Sequence, residues 1–377
     1  MESSGQKYIK DTNSKLYNPN SYGYLDAGLS IIIFVLSCAL YSKLVSFLLS
    51  LTGPFYKYIQ SNYGFKLVIN VLLAQIYVML YSVIYAKIRK VSLFSGGGYT
   101  CKVDLVSASM GCVLALGVIL LFSDLHELIV SYLDQLFPQN AINVSDSNGD
   151  LWILLEAFIL APILPAFAEE AFMRGIVFRS LEKFGAFFAI IAMGVFFALF
   201  HGNPSQLFIQ MIGGMLFGML FYATKNFFVT MVVHWFYNLF VVISSVYLEI
   251  IKELSNTAYL LSQIMLPFLG VVLIIVGGVY FYKKIIKARQ DNPFICNRYK
   301  VYLFDEKHNL VVEKHAKQVE EINELLNQDA LYYNGKQFVK KNKLGNKLLG
   351  FVLLVGAFII CLADVLGFIS YILNFIF

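Results

Sequence analysis

The chain has 377 residues, of which 58% are hydrophobic and 14% charged, with a formal net charge of +5 and a mean hydropathy of +0.68. This composition excludes an ordinary soluble domain and points to an all-α, polytopic helical membrane protein that buries much of its apolar surface against lipid. No nucleic-acid motif occurs, and the lysines and arginines read as topology signals, so the expected partners are the bilayer and whatever reaches a site within it, with no nucleic acid.

Residues 1–26 are polar and mixed in charge, without the basic-then-apolar layout of a cleaved signal peptide, and are expected to stay on the chain. Nine apolar stretches follow that are long enough to cross a bilayer as helix: Ala27–Leu51, Leu67–Ala86, Leu105–Ser123, Leu151–Gly175, Phe184–His201, Ser205–Ala223, Phe227–Tyr247, Tyr259–Tyr282 and Leu348–Phe377. This divides the chain into N-terminal spans with an acidic outer loop (27–150), a core segment (151–247), an eighth span (248–282), a cytoplasmic polar segment (283–347) and a C-terminal span (348–377). Pro162 and Pro165 are expected to kink or restart the fourth span.

The connection carrying Lys87, Arg89, Lys90 and Lys102 is expected in the cytoplasm, and alternation puts Arg179, Lys183, Lys225, Lys283, Lys284, Lys287 and Arg289 on the same side. The acid-rich connection from Asp124 to Asp150 then faces outward, and Lys57 and Lys66 run against the tally. The polar segment reads as a solvated, membrane-adjacent part in which Ala316–Leu326 could form a short amphipathic helix and His308 and His315 would be exposed. Asn143-Val144-Ser145 fits a glycosylation acceptor on the outer side, a pattern too common to weigh. Cys38, Cys112 and Cys361 lie in apolar runs and read as small buried hydrophobes. Heavy use of Ile, Phe, Tyr, Asn and Lys suggests an AT-rich bacterial genome, so a bacterial cell membrane with a cytoplasmic N-terminus is expected.

Glu169, Glu170, Arg174, His201, His234 and Asn238 interrupt this lipid-like sequence. Each costs about 2.5–3.5 kcal/mol at a bilayer centre on insertion scales, so such a cluster reads as a buried site and the rest of the chain as its housing. Glu170 and Arg174 are four apart and stack on one helix face, while Glu169 is turned about 100° away and is left free for chemistry. Phe197 and His201 share a face in the same way, as do His234 and Asn238. Taken singly, the acid–base pair reads equally as a structural ion pair and each histidine as a link between helices. Gly214 and Gly218 form a GxxxG pattern that close helix packing explains.

The three elements, Glu169-Glu170-x-x-x-Arg174, Phe197-x-x-x-His201 and His234-x-x-x-Asn238, resemble in order and spacing the motifs of the CPBP family. That family holds the CAAX prenyl endopeptidases and the bacteriocin-processing and immunity proteins also called Abi. The resemblance covers about Leu151–Val246 and implies an intramembrane endopeptidase acting on a lipidated or amphipathic peptide. It implies Glu169 as the base that activates water with His201, His234 and Asn238 as oxyanion donors, and Glu170 with Arg174 as a brace. No cofactor is favoured. Zinc held by Glu169, His201 and His234 is the alternative, and Asn238 makes better sense as an oxyanion donor than as a ligand. A proton-coupled transporter and a non-enzymatic immunity or scaffold protein are the competing readings.

Overall fold

The computed structural model describes residues 8–11, 22–89, 91, 93, 103–136, 150–291, 300–304, 310–315, 330–333, 336–339 and 344–365. The membrane body is all helix: α1 (Tyr24–Ser50), the short α2 (Pro54–Ser61), α3 (Tyr63–Ile88), α4 (Leu105–Leu136) and α5 (Leu151–Leu181) come first. They are followed by α6 (Ala186–Phe200), α7 (Leu207–Thr224), α8 (Phe227–Leu254), α9 (Asn256–Asp291) and α10 (Leu344–Val365). Among the described residues, eight helices are long and apolar enough to cross a membrane, which makes this a multi-pass integral membrane protein. The fifth of the nine expected spans, Phe184–His201, is shorter than read: α6 has 15 residues, rising about 22 Å against a hydrocarbon core of about 30 Å, and it stands apart from the eight longer helices.

The expected kink or restart at Pro162 and Pro165 coincides with a change of helix type within α5, since regular helix starts again at Ala161 with Pro162 in its first turn and Pro165 inside it. Pro162 has no N–H to offer the carbonyl of Phe158, and the chain meets this with a π-turn over Glu156–Leu160 that widens the helix just before the prolines. A second π-turn, Met173–Phe178, follows the glutamates. Asparagine and aspartate open several helices by side-chain capping: Asn62 accepts from the Phe65 N–H, Asp150 from Trp152 and Asn226 from Phe228.

Small residues set the helix spacing. A Cβ on Gly214 would sit 2.6 Å from Phe197 Cβ and 2.9 Å from Gly194 Cα, so the GxxxG face of α7 lies tight on α6, as expected. A Cβ on Gly28 would sit 2.4 Å from the Leu353 backbone, which docks α10 on the first turns of α1.

Four polar contacts gather helix ends at one side of the body. Asp26 pairs with Arg89, Arg179 lies over the Tyr22 ring, Glu182 pairs with Lys225, and Asp104 pairs with Lys284 at 2.5 Å. These are the ends that the lysine and arginine tally put together.

The polar segments form a small five-stranded sheet in the order β3-β2-β1-β4-β5, from β1 (Tyr8–Asp11), β2 (Lys300–Phe304), β3 (Leu310–His315), β4 (Ala330–Tyr333) and β5 (Lys336–Val339). β1 runs antiparallel to β2 and parallel to β4, so the N-terminal segment and the segment before α10 share one sheet that the sequence reading did not anticipate. His315 ends β3. His308, residues 316–326, Asn143-Val144-Ser145, Lys90, Lys102 and residues 366–377 lie outside the described residues.

Candidate active site

The second half of α5 carries Glu169, Glu170 and Arg174, His201 caps α6, and the first turns of α8 carry His234 and Asn238. Glu170 and Arg174 are fully buried, and Glu169 and His234 nearly so, at 4% and 1% exposure.

Glu170 meets two partners through one oxygen, its buried Oε2 having no hydrogen-bond partner among the described residues. Its Oε1 lies 2.8 Å from Arg174 Nη1 and accepts from His234 Nδ1 at 2.9 Å. The Arg174 guanidinium sits 5.3 Å from the ring centroids of both Phe197 and Phe217, each such contact worth about 0.5–2 kcal/mol. None of its nitrogens makes an aligned hydrogen bond, so Arg174 is held by charge and by the two rings. The expected Glu170–Arg174 pair is therefore present, with His234 added to it.

Glu169 points elsewhere. Gln75 Nε2, from α3, donates to its Oε1 at 3.2 Å, and its buried Oε2 has no hydrogen-bond partner among the described residues.

Each histidine has one nitrogen committed. His201 Nδ1 lies 2.7 Å from the Phe197 carbonyl oxygen, which can only accept, so Nδ1 carries the hydrogen and a neutral ring presents a lone pair at Nε2. His234 Nδ1 faces the ionised Glu170 carboxylate, and the same argument leaves its Nε2 pointing away from the pair. Aromatic rings fix both imidazoles. Phe217 stacks on His234 at 4.7 Å, and Phe197 meets His234 and His201 edge-on at 5.5 and 4.9 Å. The close approach at Gly214 is what lets Phe197 lie between the two histidines.

Contacts thus join Glu170, Arg174, Phe197, His201 and His234, while Glu169 sits beside Glu170 on α5 and is held by Gln75. Asn238 is one turn beyond His234 on α8, half-buried, and makes no hydrogen bond to them among the described residues. Tyr237, beside it, donates to the Ile209 carbonyl at 2.8 Å and pins the start of α7 to α8.

Charge bookkeeping sharpens what the site can do. Two buried carboxylates face one arginine, and a net charge in a low-dielectric interior is costly, so one additional proton on the cluster makes it neutral. Placed on His234, that proton turns Nε2 into a donor; placed on Glu169, it silences a base.

The donor chemistry of Glu169, His201 and His234 suits zinc, and an Nδ1–H bonded to an oxygen with Nε2 free is how metal-binding histidines are oriented. Among the described residues, however, no three His, Cys, Asp or Glu side chains are gathered closely enough to hold one ion. The residues as placed do not fit the metal.

An apolar cleft of about 640 Å³ opens beside Glu169, walled by α3, α5 and α8, with Gln75, Ile76, Ala168, Phe167, Met231 and Trp235 among its lining. Gln75 and Phe217 are the site residues that the sequence reading missed. Gln75 is one of few polar side chains in α3, which is the signal that could have found it, whereas Phe217 is one phenylalanine among 34.

Residues 150–240 match the family model described as type II CAAX prenyl endopeptidase Rce1-like. This Rce1-like segment is about a quarter of the chain and contains all seven residues singled out from the sequence, in agreement with the CPBP resemblance. Gln75 and the whole of α3 lie outside it. No curated protein and no solved structure matches the chain.

Proposed function

We propose that the chain is an intramembrane endopeptidase that hydrolyses a peptide bond in a lipidated or strongly apolar membrane-associated peptide, using water activated by Glu169. The observation that carries this reading is the division of labour between adjacent carboxylates within the Rce1-like segment. Glu170 is charge-paired with Arg174 and hydrogen-bonded to His234, both through Oε1, whereas Glu169 meets the neutral amide of Gln75; each carboxylate keeps a buried Oε2 unpartnered among the described residues, so charge pairing is what separates them.

In this mechanism a water donates one hydrogen to Glu169 Oε2 and the other to the lone pair on His201 Nε2, which aims its oxygen at the scissile carbonyl carbon. As the C–O bond forms, Glu169 takes the first proton and negative charge builds on the carbonyl oxygen. Asn238 Nδ2–H and the Nε2–H of cationic His234 donate to that oxygen, with Glu170 holding the imidazolium by its other nitrogen. Collapse breaks the C–N bond, and Glu169 passes its proton to the departing amine. The apolar cleft beside Glu169 supports a substrate that brings a lipid chain or an apolar side with it.

The test incubates the purified chain in nanodiscs with two internally quenched peptides. One ends in a prenylated Cys-aliphatic-aliphatic-X sequence and the other is an unlipidated, leader-type amphipathic peptide. Cleavage of either, unaffected by a strong zinc chelator and reduced about 10²–10⁴-fold by Glu169→Gln, is the expected result. Cleavage that Glu169→Gln leaves intact refutes the base assignment.

A further inference from the structure

We infer that Gln75 is a positioning residue for Glu169, supplied by a helix outside the Rce1-like segment. The inference rests on Glu169 being the base.

Four observations carry it. First, Gln75 Nε2 lies 3.2 Å from Glu169 Oε1, and an ionised carboxylate can only accept, so the amide must face it with its N–H. Second, with Oε1 held, rotation of the carboxylate is blocked and Oε2 is the oxygen left to meet a water. Third, the other end of the same amide, Gln75 Oε1, is buried and has no hydrogen-bond partner among the described residues. A glutamine serving only to bind two helices would satisfy both ends, because an unpaired buried amide oxygen destabilises the fold. Fourth, Gln75 lines the apolar cleft, so the residue that holds Glu169 also borders the space a peptide would enter from that side.

Polar side chains in a lipid-facing helix destabilise it unless they serve a site. Gln75 meets Glu169 across the α3–α5 contact, so α3 contributes to the chemistry as well as to the packing. A motif search confined to residues 150–240 would not find it.

The experiment compares wild type, Gln75→Met, Gln75→Glu and Glu169→Gln in nanodiscs on the prenylated quenched peptide, reading kcat, KM and the thermal unfolding midpoint. Methionine keeps the length and shape but removes the donor, so kcat is expected to fall about 10- to 100-fold with KM within about twofold and the midpoint unchanged or raised. Glutamate keeps an acceptor and adds a like charge beside Glu169, and is expected to be at least as slow as the methionine variant. A kcat within about twofold of wild type in Gln75→Met, with Glu169→Gln inactive, overturns the role of Gln75 and leaves the base assignment standing. So does a Gln75→Glu enzyme as fast as wild type. A fall in the midpoint that tracks the loss of activity in both variants assigns Gln75 to structure and overturns the inference. Activity that survives Glu169→Gln overturns both proposals.

Discussion

Replacing Arg174 by methionine tests whether the buried charges brace α5 or merely accompany the fold. Arg174 and Glu170 are both fully buried, so removing the guanidinium strands a carboxylate whose remaining partner is His234. Breaking a buried pair from one side costs about 3–5 kcal/mol, because the abandoned charge keeps its desolvation penalty. The two cation–π contacts to Phe197 and Phe217 are lost in the same substitution, and methionine returns part of that packing through its own contact with the rings. The double variant Glu170→Gln/Arg174→Met removes both charges and leaves a neutral amide that can still meet His234 Nδ1. It should recover at least about 2 kcal/mol of the loss, since a neutral replacement of a buried pair is often tolerated. A double-mutant cycle on the unfolding of the purified protein in graded denaturing detergent measures that coupling directly. Peptide cleavage supplies the second readout. The single variant should lose stability and activity together, whereas the double should regain stability and stay inactive, because a neutral amide in place of the Glu170 carboxylate cannot hold a cationic imidazole. A single variant that loses less than about 1 kcal/mol, or a double no more stable than the single, refutes the bracing argument.

Two further outcomes follow from the packing and the charged helix ends. Gly214→Ala places a Cβ 2.6 Å from Phe197 Cβ, about 1 Å inside ordinary contact, so α6 and α7 must part near the histidines. A stability loss of about 1–3 kcal/mol and a loss of cleavage of tenfold or more are expected. Gly218→Ala, whose nearest neighbour would be 3.3 Å away, should be far milder in both assays. At the end of the body that holds Asp104, burial alone would raise that carboxyl, but Lys284 and the N–H and hydroxyl of Ser107 outweigh it and hold Asp104 below its ordinary value. A depressed carboxylate stabilises the fold above its unfolded value and loses that contribution as pH falls through its folded one. The clasp between α4 and α9 should therefore persist at neutral pH and weaken below about pH 4. The pair is partly exposed, so Asp104→Asn should cost only about 0.5–1 kcal/mol at pH 7, and unfolding measurements should show that cost shrinking progressively as pH falls through the folded value.

The sequence made most of the helices and most of the site legible, and the physical reason is the same in both cases. Lipid demands about twenty apolar residues per crossing and penalises every polar exception, so the spans and their interruptions both stand out. The far end of the Phe184–His201 stretch was legible, since Gly202 at φ 61° follows the end of α6, but the helix begins only at Ala186, after Gly185 at φ 117°, which leaves 15 residues. Pro162 and Pro165 did mark a change of helix type, although the sequence carries no record that a π-turn precedes them. The five-stranded sheet was invisible for a different reason: β1 and its partners are separated by nearly the whole membrane body in sequence.

Within the site, i,i+4 spacing identified Glu170 with Arg174 and separated Glu169 from them, because a helix face is a local property. The partners across helices were not local. His234 presents its Nδ1 to Glu170, and Gln75 presents its amide to Glu169, contacts that span 64 and 94 residues of sequence. The consequence is chemical as well as geometric. A histidine paired with Asn238 alone would be a neutral ring free to use either nitrogen, whereas one pinned by a buried carboxylate donates at Nε2 only when it carries a second proton. The proposed oxyanion site is therefore charged through Glu170, a residue that makes no contact with the reacting atoms in this mechanism. The same carboxylate that withdraws Arg174 from the chemistry supplies the counter-charge that cationic His234 requires, which is why the two adjacent glutamates cannot exchange roles.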